Sequence, residues 1–82
     1  MVSTPVTKSL DEIHALIVEE VRKNHDFDEV TPLRPHWHAI DQDGCNWDLS
    51  HWRGPAELAM LAREAIAPAV LEMRRMYRAP TP

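Results

Sequence analysis

The spacing of apolar residues predicts a helix near the N-terminus of the chain. Four apolar residues recur at intervals of three or four positions: Leu10, Ile13, Ile17 and Val21. This spacing places them on one face of a helix. Ser9 and Glu12 stand at the spacing of a capping box, in which the serine side chain accepts a hydrogen bond from the glutamate amide. We expect the helix to start after Ser9 and to end near Asn24 or His25, which tolerate turn geometry.

Two alternating segments, 36–40 and 45–52, predict a β-hairpin. The tetrapeptide 41–44, Asp-Gln-Asp-Gly, suits a type I turn closed by a left-handed Gly44. A two-residue turn centred on Asp43-Gly44 is the alternative, but it shifts the pairing by one position and mixes apolar with polar side chains. The type I turn pairs Asp41 with Cys45, and in the register that follows the apolar and the polar side chains lie on separate faces.

The register that follows from this turn gives the hairpin one apolar and one polar face. The apolar face is expected to hold Trp37, Ala39, Cys45, Trp47 and Leu49. The polar face is expected to hold His36, His38, Ile40, Asn46, Asp48 and Ser50. In this register Asp48 lies directly across from His38.

A second, longer helix is predicted from about residue 55 to residue 78. Its apolar positions form one broad stripe: Leu58, Ala62, Ala65, Ile66, Ala69, Met73, Met76 and Tyr77. Pro55 suits the first helical position. Pro68 falls on the polar side, where the missing N–H removes one outer hydrogen bond, so it should bend one continuous helix and not divide it.

These elements predict a small α+β domain of α-β-β-α order. An antiparallel hairpin would pack against two helices, the second of which is kinked at Pro68. A two-stranded hairpin is marginal alone, so the helices, or a second copy, must cover its apolar face. We expect a single domain over 1–82, with loose tails at 1–8 and 79–82, where no periodicity is found.

Composition narrows the classes of function. The 82 residues allow one modest core, and 44% apolar with 27% charged residues is typical of a globular domain. A net charge of −4 does not favour binding to the negatively charged phosphates of a nucleic acid, so no nucleic acid is expected as a partner. No apolar run is long enough to span a bilayer, so no membrane is expected either. The lone Cys45 forms no intrachain disulfide and favours the reducing cytoplasm.

A metal site is one hypothesis for the hairpin. His36 and His38 are two positions apart on a strand, so their side chains leave the same face, with Asp48 opposite. Two imidazoles and a carboxylate are ligand types of zinc, nickel or iron sites. The simpler interpretation is a solvated polar face with an ordinary cross-strand pair. We therefore expect no cofactor, with a divalent transition metal as the alternative.

A partner-binding surface is the second hypothesis. Ile40 is the one apolar residue on the polar face, where His36 and His38 flank it. Such a residue is usually covered by a helix, a second subunit or a partner. Trp52 follows the second strand and is suited to anchor an interface if it is exposed. These four residues are the predicted partner-binding residues.

Catalysis has little support in the sequence. Ser50 and His51 are neighbours, and on a strand they would point to opposite faces and form no nucleophile–base pair. We therefore expect a small non-catalytic cytoplasmic protein that acts through protein association, with a partner or as a homodimer. A metal-binding accessory protein is the alternative.

Overall fold

The computed structural model describes residues 5–81 and shows the small α+β domain that the sequence predicts. Two helices, α1 (Leu10–Arg22) and α2 (Ala56–Met76), are joined by a 3-10 turn and several short strands. The described residues contain six strands of two residues each: β1 (Val6–Thr7), β2 (Thr31–Pro32), β3 (His36–Trp37), β4 (Trp47–Asp48), β5 (Trp52–Arg53) and β6 (Tyr77–Arg78). They form three separate pairs: β1 with β6 in parallel, β2 with β5 and β3 with β4 antiparallel.

The start of α1 is confirmed and its end differs. The Ser9 hydroxyl accepts from the Glu12 amide at 3.1 Å, which is the first half of a capping box. The Glu12 carboxylate accepts from the Ser9 hydroxyl at 3.2 Å and not from the backbone N–H that a full capping box would use. The helix ends at Arg22, earlier than predicted, and no left-handed residue closes it. Asn24 instead caps the 3-10 turn His25–Phe27 through its side chain. Arg22 donates to the carbonyls of this turn and of the segment after it, which draws the chain back onto α1.

The predicted turn forms, but the predicted register is wrong. Gly44 has a φ of 78°, and the amide of Asp41 donates to the carbonyl of Cys45 at 3.0 Å. The strands, however, pair Trp37 with Trp47, two residues away from the predicted Leu49. The difference arises because two residues of the first strand, 39 and 40, have no counterpart on the second and loop out between the turn and the strands.

The looped residues change the predicted apolar face. Cys45, Trp47 and Leu49 are buried as expected. Trp37, in contrast, is 37% exposed and Ala39 is exposed as well. The His38 imidazole Nδ1 lies 2.7 Å from the Ala39 carbonyl, a local hydrogen bond that competes with strand pairing.

Asn46 is the largest departure from the predicted polar face, because it is 3% exposed. Its side-chain amide donates to the Ala79 carbonyl at 2.7 Å and accepts from the Ala79 amide at 2.9 Å. The Trp47 indole N–H donates to the Tyr77 carbonyl at 3.0 Å. We call these three hydrogen bonds the Asn46 clamp, since they attach the hairpin to the chain that leaves α2.

The expectation of loose tails does not hold where the structure describes them. Val6–Thr7 pairs with Tyr77–Arg78, and the Lys8 amide donates to the Arg78 carbonyl at 3.0 Å. Ala79 is 3% exposed. Residues 1–4 and 82, which belong to the same expectation, lie outside the described part of the chain.

α2 continues without a break through Pro68, as predicted. Pro68 is exposed, in agreement with its predicted place on the polar side. Pro55 precedes the first helical residue and does not occupy it. The buried stripe of α2 is narrower than predicted. Its buried residues are Ala59, Ala62 and Ile66.

The core lies between α1, α2 and β4. Its completely buried side chains include Trp47, which is the largest of them, together with Ile13, Ile17, Val21 and Val30. Trp47 belongs to the same buried cluster as Ala59, Ala62 and Ile66 of α2.

The Asn46 clamp predicts a large stability loss for Asn46→Ala. The variant leaves the Ala79 amide and carbonyl buried without partners, which costs about 1–3 kcal/mol for each group. We expect a loss of about 2–4 kcal/mol in the free energy of unfolding, measured by denaturant titration. Gln42→Ala, which removes an exposed amide from the turn, should change stability by less than about 0.5 kcal/mol. Equal stability of the two variants would contradict the clamp.

The continuity of α2 predicts that Pro68→Ala is tolerated. Alanine restores a backbone donor and has the higher helix propensity, while the rigidity that proline gives the unfolded chain is lost. We expect the free energy of unfolding to stay unchanged or to rise by about 1 kcal/mol. Pro68→Gly should be about 1 kcal/mol less stable than Pro68→Ala. Loss of folding in the alanine variant would mean that the proline separates two helices.

Candidate partner-binding surface

Ile40 borders an apolar hollow at the looped end of the hairpin. Its side chain is 60% exposed, and Trp37 beside it is 37% exposed. The hollow has a volume of about 610 Å³, and Thr7, Arg78 and Pro80 complete its walls. Both ends of the described chain therefore contribute to this surface, which we call the Trp37–Ile40 hollow.

Arginines from the end of α2 and from β6 fix the hairpin turn beside the hollow. The Arg74 guanidinium donates to the Asp41 carboxylate at 2.5 Å, with only 18% of the Arg74 side chain exposed. The Arg78 guanidinium donates to the Gly44 carbonyl at 2.6 Å. These contacts join the turn to the helix end and complement the Asn46 clamp.

Asp41 is the anion on which this arrangement depends. The Cys45 amide donates to its carboxylate at 3.1 Å, and this hydrogen bond is the largest cause that lowers the pKa of Asp41 below the usual 3.8. The Asp43 amide, at 3.0 Å, and the Arg74 guanidinium lower the same pKa further, against an opposing effect of burial. The folded state thus favours the charged form of Asp41.

The two histidines of the predicted site face different neighbours. Their rings are 6.3 Å apart and tilted at 58°. His38 precedes the looped residues, and its Nε2 lies 4.0 Å from the Asp41 carboxylate. His36 is exposed, with its Nδ1 3.2 Å from the Ser50 hydroxyl. Of the two, His38 is the one that lies near the turn beside the Trp37–Ile40 hollow.

Trp52 lies on another part of the surface. It pairs with Pro32, is half-buried against the core, and lines a hollow of about 290 Å³ with Met60 of α2. Its indole N–H is buried and makes no hydrogen bond within residues 5–81. The structure therefore separates Trp52 from Ile40, although both were predicted to bind a partner.

The ligand set predicted for a metal is also rearranged. Asp48 lies across from His36, so the predicted pairing of Asp48 with His38 is wrong. Within residues 5–81, no group of three or more His, Cys, Asp or Glu side chains is placed to hold a metal ion. The metal hypothesis stays a prediction without a three-ligand site among these residues.

Ser50 and His51 do contact each other, contrary to the expectation. The Ser50 hydroxyl lies 2.7 Å from the His51 Nδ1. The alternation argument fails because the chain is not a strand at these two residues, since β5 starts at Trp52. Ser50, His51 and His36 are all exposed, so this cluster has no enclosed cleft around it.

Several residues that form the surface were missed by the sequence analysis. Asn46 was assigned to the polar face of the hairpin and Pro80 to a loose tail, and Arg74 was not among the candidate residues. The only sequence signal for Asn46 is its position between Cys45 and Trp47, which are both buried. Nothing in the pattern indicates that Pro80 lies beside Ile40.

Comparison of the chain with family models, with curated proteins and with solved structures finds no match. Neither of the two helices described in residues 5–81 has both the length and the apolar character of a membrane span.

The lowered pKa of Asp41 predicts an acid-dependent effect of Asp41→Asn. Because the folded-state pKa lies below 3.8, the charged carboxylate contributes stability above that pH, and the contribution is lost as the pH falls through the lower value. We expect the variant to be less stable than the wild type at neutral pH and the gap to close as the pH falls below 3.8. Denaturant titrations across this range measure the gap. Asp43→Asn, whose carboxylate is exposed, is the control, and a gap for Asp41→Asn that stays constant with pH would contradict the interpretation.

Proposed function

We propose that this chain is a non-catalytic protein-binding domain that docks an extended segment of a partner protein in the Trp37–Ile40 hollow. The observation that carries the proposal is the exposure of two large apolar side chains, Ile40 and Trp37, around one hollow. Covering an apolar side chain of this size is favourable by about 1.5–3 kcal/mol. A partner that supplies an apolar side chain would gain this energy.

The contacts that hold two of the walls support the proposal. The Asn46 clamp holds Ala79 beside the hollow, and the contact of Arg74 with Asp41 fixes the turn. A site that is formed before binding avoids the entropy cost of ordering its walls. The hollow is therefore suited to a short segment of limited contact area.

The backbone at the looped residues indicates an extended segment as the occupant. Within residues 5–81, no hydrogen bond to the backbone of Ile40 is found. An unpaired N–H and C=O beside an apolar hollow suit an extended peptide, which pairs its own backbone and inserts one side chain. Conversely, a helical segment has no free backbone groups for this pairing.

The cytoplasm is the proposed compartment. Cys45 is a buried free thiol that donates a hydrogen bond to the Trp47 carbonyl at 3.3 Å. A single cysteine enclosed in the core suits a reducing, intracellular environment.

Selection of peptides from a random displayed library tests the proposal. We expect the wild type to enrich peptides that share one apolar residue in an extended context. Ile40→Asp should bind the selected peptides about 10–100-fold more weakly, because it replaces an apolar contact with a charge. Because Ile40 is exposed, thermal melting should show that the variant stays folded.

Leu33→Asp is the matched control. Leu33 is 36% exposed and does not line the hollow, so its replacement should leave peptide affinity unchanged. Equal binding of the selected peptides to the wild type and to Ile40→Asp would overturn the proposed docking site. So would a selection that enriches no apolar position.

A further inference from the structure

The outward side of α2 carries apolar residues at coiled-coil spacing. Met60 is 60% exposed and Leu71 is 48% exposed, on the side opposite the buried Ala59, Ala62 and Ile66. Six positions alternate at intervals of three and four residues: the exposed Glu57, Met60, Glu64, Ala67 and Leu71, followed by Arg74, which is half-buried against Asp41. This spacing forms a continuous line along a helix that packs against another helix. We call it the outward seam.

We propose that the outward seam of α2 docks antiparallel against the same seam of a second copy of this chain, around a two-fold axis. In this arrangement Met60 of one copy lies opposite Leu71 of the other, and Glu64 lies opposite Ala67. The pairing is self-complementary, as a two-fold contact requires. The surface is separate from the Trp37–Ile40 hollow, so this inference does not depend on the proposed function.

The charges at the two ends of the seam select this orientation. Glu57 and Arg75 are both exposed and make no ion pair within residues 5–81. They lie about 27 Å apart along α2, so they do not reach each other within one copy. An antiparallel second copy places Glu57 against its Arg75, and this happens twice. A parallel copy would instead place like charges together.

Arg75 is the available cation because Arg74 is already engaged by Asp41. Arg75 and Glu57 are 18 positions apart, which is about five helical turns, so their side chains project at the same angle, along one edge of the seam. In antiparallel helix pairs equal edges face each other. The geometry of α2 therefore brings together the two groups that are unpaired in one copy.

A hollow beside the seam adds apolar area for the second helix. It has a volume of about 170 Å³ and is lined by Leu49, Ile66, Val70 and Leu71. The contact remains one helix wide, which belongs to the small, weak class of interfaces. In addition, the two Glu64 carboxylates lie close to the axis and oppose association. We therefore expect a weak dimer.

Charge-reversal variants test the proposal by analytical ultracentrifugation, in a concentration series up to about 1 mM. Glu57→Arg alone and Arg75→Glu alone should each weaken self-association by about tenfold or more, because each places like charges together twice. An equimolar mixture of the two variants should restore association, since the mixed dimer has opposite charges at both ends. The double variant, Glu57→Arg with Arg75→Glu, should restore it as well.

Three further variants separate this contact from other surfaces. Met60→Asp should abolish association, and Glu64→Gln should strengthen it several-fold by removing the repulsion at the axis. Ile40→Asp should leave it unchanged. Thermal melting should show that each variant is folded, because all of the replaced side chains are exposed.

Three results would overturn the antiparallel dimer. The first is a wild type that is monomeric throughout the series. The second is a mixture or double variant that associates as weakly as the single variants. The third is a loss of association in Ile40→Asp, which would move the contact to the hollow.

Discussion

The hydrogen bonds from Asn46 and Trp47 to the backbone that follows α2 are the contacts on which the rest of the structure depends. Strand pairs of two residues are too short to be stable alone, so the hairpin needs an attachment. The clamp supplies it and also gives the buried Trp47 indole a partner. With the hairpin held in this way, Pro80 lies beside Ile40, and the Trp37–Ile40 hollow forms between them.

α2 places small side chains in the core and exposes larger apolar side chains at the surface. Its buried positions are the small Ala59 and Ala62 and the larger Ile66, which share one cluster with Trp47 and the α1 side chains. Larger apolar side chains such as Met60 and Leu71 are left outside. The same helix therefore contributes mostly small side chains to the core and exposes larger apolar side chains in the outward seam.

Features set by neighbouring residues could be predicted from the sequence, whereas those set by distant contacts could not. Ser9 with Glu12, and the turn at Asp41–Gly44, involve residues within four positions of each other, so their chemistry is visible in the sequence. The burial of Asn46 depends on Ala79, which lies 33 positions away. The register failed because the pattern does not show that residues 39 and 40 loop out. For the site, Ile40 is exposed as predicted, but because residues 39 and 40 loop out and not because a strand alternates there, and the hollow beside it requires Pro80.

The parallel pairing of β1 with β6 makes the hollow sensitive to local unfolding. Val6 pairs with Tyr77, so the pair closes a loop that contains most of the described chain. Short pairs at chain ends open more readily than the core, and each opening carries Thr7 away from the wall that it shares with Pro80. Occupation of the hollow and closure of the pair are thus thermodynamically linked. Amide exchange at Lys8, whose N–H is bonded to the Arg78 carbonyl, would slow whenever the hollow is filled.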